Sequence, residues 1–335
     1  MILHPGILAL LCGSLLTLLT MLVASWLGIK ILLNWDANSS SEGQTLLERK
    51  TWLVSSLLNY ALGFQIFSVL LFIATAEDIH QLFIGAMCAT GSLNANLVGW
   101  LVLLIKGILL FAAALWVVIN RLDQRTEDCP LIRPKYLALL ILTPVVALDF
   151  YLQWSYFSGL RPEVITSCCG SLFSSEGESV VSELAGMPVR QAMLLFFSIV
   201  AIHLLVLFFN ITFKSTVFRP LLFITAVLTF FVSIGAIVSF ISLYIYQMPS
   251  HHCPFDMLQA NYGYVGYPIY FGLFITTLYG MLPGICQPLR KHMSLEREIN
   301  TIEKHWLWLS LSGMLIFLIF SCWQMLFGSL KLLGY

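Results

Sequence analysis

Eight runs of this sequence are each long and apolar enough to cross a bilayer as a helix, and that property restricts the chain to one fold class. The hydrocarbon core takes about 20 apolar residues in helical form, which places spans near 6–33, 51–75, 97–119, 135–158, 191–213, 219–246, 265–288 and 305–328. The runs are continuous, whereas the strands of a membrane barrel alternate apolar and polar residues in segments of about ten. In hydrocarbon the backbone must satisfy its own polar groups, so each run is predicted to be a helix. The expected architecture is all-α: a polytopic integral membrane protein with eight transmembrane helices, forming one membrane domain over 1–335. Composition agrees, because a chain that is 59% hydrophobic and 10% charged cannot cover a soluble globule with polar surface.

Lys and Arg near span ends stay on the cytoplasmic side, so their distribution orients the chain. With the N-terminus outside, thirteen basic residues fall on the inner side and three, Arg161, Arg190 and Lys331, on the outer. Both termini are therefore predicted to be extracytoplasmic, in a cell inner membrane or plasma membrane. The first run lacks a basic n-region and is about twice the usual length of a signal's apolar segment, so it reads as a retained span rather than a signal cut near Ala24 and Ser25. Seven acids stand against the three outer bases, which makes that face mildly electronegative. The formal net charge is zero and no basic tract occurs, so nucleic acid is not an expected partner; the lipid bilayer is. Among the connections, residues 34–50 are expected to form an inner linker, residues 294–304 a charged inner loop in helical form with Ser294 as its cap, and residues 179–186 a short helix in the longest outer loop.

Topology also sorts the eight cysteines. Cys12, Cys129, Cys286 and Cys322 fall within spans or on the inner side, where small packing residues or reduced thiols are the simplest reading. Cys88, Cys168, Cys169 and Cys253 all fall outside, and every outer loop between spans supplies at least one. His251 and His252 precede Cys253, in the segment QMPSHHCPFDMLQANYGYVGYPIY that runs from Gln247 to Tyr270.

Three readings of this group stay open. Thiolate and imidazole together are the ligand set of soft or borderline metals, so Cys88, Cys168, Cys169, Cys253, His251 and His252 are candidate ligands for Cu or Zn, in a protein that transports or delivers a metal ion or a metal-bearing cofactor. A second reading is thiol–disulfide exchange. Pro254 suits the first turn of a helix over 254–262, whose N-terminus would acidify Cys253 for exchange with Cys168 or Cys169, with electrons passing to a membrane quinone. Either function would take an extracytoplasmic metal carrier or thiol protein as partner. In the third reading two structural disulfides link Cys88 and Cys253 to the pair at 168 and 169, stapling a scaffold or transporter. No ATP-binding, dinucleotide-binding, metalloprotease or hydrolase motif is present, and whether the chain is an enzyme depends on which reading holds.

Charges inside spans are costly and therefore informative. Lys106 and Asp149 each lie nine residues from the outer ends of their spans, about 13 Å deep at 1.5 Å per residue, and Gln65 lies at almost the same depth. They are expected to meet, either as a structural pair joining two helices or as the site of a proton or cation step. His203, alone in the middle of its span, reads as a hydrogen-bonding packer.

Overall fold

The computed structural model describes residues 2–36, 41–126, 128–161, 186–213 and 216–332. It is 83% helical, with no strand among the described residues. Among the described residues, ten α-helices are labelled in chain order: α1 (Pro5–Asn34), α2 (Glu42–Ile79), α3 (Ala89–Asn94), α4 (Val98–Asp123), α5 (Ile132–Gly159), α6 (Val189–Phe213), α7 (Phe218–Ala236), α8 (Ser242–Tyr246), α9 (Gly266–Ile285) and α10 (Met293–Phe327). A π-turn over Ile237–Ile241 joins α7 and α8 into one membrane-length rod. Among the described residues, eight helical segments are long and apolar enough to cross a membrane, and the chain is a multi-pass membrane protein.

The chain divides into two compact units. The first comprises Met1–Ile84, Ser92–Thr166 and His292–Glu298; the second comprises Gly85–Gly91, Ser167–Lys291 and Ile299–Tyr335. In the first unit α1 packs on α2 and α5, and α4 packs on the same two helices, closing a four-helix ring. Its core gathers Met21 and Ile31 of α1, Leu58 and Leu62 of α2, Leu109 and Trp116 of α4, and Tyr136 and Val146 of α5. Small hydroxyls tie the ring where apolar contact alone gives no preference over lipid: Ser25 Oγ lies 2.7 Å from Thr143 Oγ1, and Ser55 Oγ 3.1 Å from the Tyr136 hydroxyl.

In the second unit α7 packs against α6 and α9. The α9–α10 contact is closer still. A Cβ at Gly272 would sit 2.7 Å from the Gly313 carbonyl oxygen, and one at Gly313 2.8 Å from the Gly272 carbonyl oxygen, so only glycine fits at that crossing. One turn along, Thr276 Oγ1 donates to the Ser310 carbonyl at 2.8 Å and Ser310 Oγ to the Thr276 carbonyl at 3.0 Å.

Three expectations about connections need correction. Residues 42–50 are helical rather than linker, because Ser41 caps the helix by accepting the Gln44 N–H at 3.3 Å and nothing interrupts the chain before the apolar run. The charged stretch 294–304 is helical as expected, but it is the start of α10 rather than a loop before the last span. It carries its own buried stripe, Leu295, Ile299 and Glu303 at four-residue spacing, which continues into Trp306 and Ser310, and no Pro or Gly intervenes before Gly313. Ser294 lies inside that helix and donates to Asp128 Oδ2 at 3.0 Å instead of capping. The α-helix expected over 254–262 is replaced by two 3-10 turns, Asp256–Leu258 and Ala260–Tyr262. Gln259 between them is extended (φ −82°, ψ 157°), which breaks any α-helical run, while Gly263 ends the second turn at φ +63°. The short helix expected over 179–186 lies largely outside the described residues.

Candidate thiol–carboxylate site

The second unit brings Cys88, from the segment before α3, together with the loop between α8 and α9. The Cys88 and Cys253 sulfurs are 3.5 Å apart, and both residues are fully buried. That separation is well beyond the ~2.05 Å of a disulfide, so the two sulfurs are not bonded to each other. Asp256 completes the group: the ligand atoms of Cys88, Cys253 and Asp256 all lie within 4.8 Å of one another.

The loop is shaped so that these groups face inward. Tyr246, the last residue of α8, donates its hydroxyl to the Cys253 carbonyl at 2.6 Å and accepts the Met257 N–H at 2.9 Å. One buried oxygen thus clamps both sides of the Cys253–Met257 turn. Tyr270 of α9 donates to the Pro254 carbonyl at 2.7 Å, and Gln259 Nε2 donates to the Met87 carbonyl at 3.0 Å, tying the loop to the segment that carries Cys88. Gly266 opens α9 where a Cβ would fall 2.7 Å from Met257 Cγ and 3.0 Å from its carbonyl oxygen, so the helix start lies flat against the turn.

Asp256 is the electrostatic centre. Its Oδ1 accepts from Cys253 Sγ at 3.3 Å, and its Oδ2 accepts from His251 Nε2 at 2.5 Å. Burial pushes the carboxyl pKa up, but hydrogen bonds from His251, Cys88 and Cys253 outweigh it and hold the group below its ordinary value. The Cys253 sulfur also accepts the Phe255 N–H at 3.4 Å and lies 3.6 Å from the Thr90 hydroxyl oxygen. Since the carboxylate only accepts, His251 carries its proton on Nε2, leaving Nδ1 as the nitrogen with a lone pair in the neutral ring.

His252 goes elsewhere. Its Nδ1 donates to the Val238 carbonyl at 2.8 Å, a group in the π-turn, where the widened winding loosens the helix's own bonding. Of the six sequence-predicted ligands, then, Cys88 and Cys253 meet, His251 stands behind Asp256, His252 is engaged at Val238, and Cys168 and Cys169 lie outside the described residues. Asp256 and Tyr246 were not singled out as site residues. The available signal was a carboxylate only three residues after Cys253.

The intramembrane polar residues belong to the first unit. Lys106 Nζ lies 3.3 Å from Asp149 Oδ2, and Gln65 Nε2 donates to the same oxygen at 2.9 Å. In the second unit His203 Nδ1 lies 3.1 Å from Thr225 Oγ1, a pairing between α6 and α7. Two further buried ionic groups were not anticipated: Lys135 with Asp123 at 2.6 Å, and Arg219 with Glu303 at 2.7 Å. Arg290 shares Glu303 with Arg219, at 3.0 Å.

No protein-family model, no curated protein and no solved structure matches this chain.

Proposed function

We propose that this multi-pass membrane protein handles a soft or borderline metal ion at an extracytoplasmic site, for transport or delivery. Cys88 and Cys253 act as thiolate ligands, and Asp256 as the carboxylate. The observation that carries the reading is the convergence of two sulfurs and a carboxylate, from segments 165 positions apart, into a sphere of 4.8 Å. Two thiolates bound tetrahedrally to Zn at about 2.3 Å sit about 3.8 Å apart, close to the 3.5 Å found here. A carboxylate beside them favours Zn(II) over Cu(I), which prefers sulfur alone. His251, hydrogen-bonded to Asp256, takes the orienting role that outer-shell partners play in metal sites. Cys168 and Cys169 are the sequence's candidates for completing the ligand set.

Elemental analysis of the purified protein tests this directly. Near-stoichiometric Zn is expected in the wild type, falling sharply in both Cys88→Ser and Cys253→Ser. Equal metal content in all three proteins refutes the site.

The 3.5 Å sulfur separation also supports a second reading, a dithiol oxidised by a membrane quinone. In that step the Cys88 and Cys253 S–H bonds break and one S–S bond forms. Two electrons and two protons pass to the quinone, giving the hydroquinone. Against exchange with a bulky protein thiol stands the complete burial of both sulfurs, since an attacking thiolate must reach the sulfur in line. Metal-free protein that reduces no quinone and forms no Cys88–Cys253 bond excludes this reading.

A further inference from the structure

The first unit seals a second set of polar side chains away from water. Ser14 of α1, Gln65 and Ser68 of α2, Lys106 of α4, and Asp149 and Gln153 of α5 are all 1% exposed or less. Their donors crowd onto one carboxylate oxygen: Gln153 Nε2 at 2.7 Å, Gln65 Nε2 at 2.9 Å and Lys106 Nζ at 3.3 Å all reach Asp149 Oδ2. Lys106 donates also to Ser68 Oγ at 3.1 Å, and Gln153 to Ser14 Oγ at 2.9 Å.

What remains unsatisfied is of a single kind. Asp149 Oδ1, Gln65 Oε1 and Gln153 Oε1 are buried acceptors with no hydrogen-bond partner, while the side-chain nitrogens of Gln65, Gln153 and Lys106 are all engaged. Each open amide oxygen shares its carbon with a nitrogen already bonded to Asp149, and Oδ1 shares its carbon with Oδ2. Each open oxygen is therefore two bonds from an atom engaged in the hydrogen bonds at Asp149 Oδ2. Left bare in a dry interior, each is expensive.

We propose that this cluster binds a small monovalent cation of the Na+ class, ligated by Asp149 Oδ1 and the amide oxygens of Gln65 and Gln153. Carboxylate and carbonyl oxygens are the ligands of hard cations, and an ion engages three acceptors together where one water has only two hydrogens to offer. A divalent ion is disfavoured, because the site offers a single carboxylate, which balances one positive charge. Lys106 is then a tethered competitor: its ammonium holds Asp149 when the ion is absent, which accounts for a lysine deep in a hydrocarbon-spanning helix. None of the thiol-site residues takes part, so this proposal stands independently of the metal reading.

The test is saturable binding of radioactive Na+ to the purified full-length protein, together with thermal stability in NaCl against equal choline chloride. Saturable binding across the millimolar range and stabilisation by Na+ but not choline are expected. Lys106→Met removes the competitor and should tighten binding by about tenfold or more, with folding that depends on Na+. Gln153→Leu should weaken binding by about tenfold, and Gln65→Leu serves in its place if that variant does not fold. Absence of saturable binding in the wild type, or a Lys106→Met protein equally stable in Na+ and choline, overturns the proposal and makes the cluster a water-filled structural pair.

Discussion

Tyr246→Phe isolates the contribution of one hydroxyl to the thiol–carboxylate site. The ring is nearly buried, with centroids 4.7 Å from His251 and 4.6 Å from Tyr262, and phenylalanine keeps those contacts. Only the oxygen is lost, and with it the partner of the Met257 N–H at 2.9 Å and of the Cys253 carbonyl at 2.6 Å. A buried polar group left without its partner costs about 1–3 kcal/mol, so two such groups, partly relieved by loop relaxation, predict a loss of about 2–4 kcal/mol. Tyr270→Phe is the internal control: it frees a single carbonyl, that of Pro254, and should cost about half as much. Unfolding in detergent measures both. Zn affinity by competition with a chromophoric chelator measures the effect on the site, where loss of this kind of support is expected to weaken binding by about 10–100-fold. A Tyr246→Phe protein within about 0.5 kcal/mol of wild type, with unchanged affinity, would show that the hydroxyl does not hold the turn.

Mild oxidation of metal-free protein should form an intramolecular Cys88–Cys253 bond, seen by mass spectrometry as loss of two hydrogens, and bound Zn should slow it; no bond in either state contradicts the 3.5 Å approach. Glu303→Gln leaves the Arg219 and Arg290 guanidinium groups buried together without their shared carboxylate and should cost about 3–5 kcal/mol in unfolding experiments, whereas a loss under about 1 kcal/mol would mean the triad is wet. Burial and then Asp123 push the Cys129 thiol up from its ordinary pKa, outweighing the opposing Lys135, so its alkylation rate should rise only at a pH above that of an ordinary cysteine. The sign is that of a raised acid: any stability tied to the neutral thiol is full below the unfolded pKa and lost as pH rises through the folded one. Asp128→Asn, which removes a smaller contribution of the same sign, should bring the alkylation midpoint down, and an unmoved midpoint would show that Asp128 contributes nothing to the shift.

The spans were legible because hydrocarbon enforces one rule, a run of about 20 apolar residues with its backbone bonded internally. Their ends were less so. Hydropathy stops where charge begins, but a helix stops where its bonding or packing stops, and α10 carries Leu295, Ile299 and Glu303 inward well before its apolar run starts. The loop after α8 failed for a related reason. Pro254 and Gly263 are sound local signals for a helix start and stop, yet the turn between them is decided by the Tyr246 hydroxyl, which lies outside the segment. The meeting of Cys88 with Cys253 had no local signal at all. Only the shared side of the membrane argued for it.

The intramembrane cluster shows where the readable information lies in such a chain. In a soluble helix the apolar stripe marks the buried face. Here both faces of α4 are apolar, and Leu101, Leu104 and Ile108, each at least half exposed, are as hydrophobic as the core residues Val102 and Leu109. The stripe therefore carries no phase. Polar residues do, because lipid cannot solvate them. Lys106, Asp149, Gln65 and Ser14 are buried in four different helices, and each marks the inward face of its own. Depth followed from counting residues to the span end, and pairing from the cost of a lone charge. Gln153 was within the same reach, one helical turn after Asp149 at the four-residue spacing that puts two side chains on one face. What counting could not supply was which oxygen of Asp149 each donor would choose. That choice, three donors on Oδ2 and none on Oδ1, is what leaves a carboxylate oxygen open for the cation proposed above.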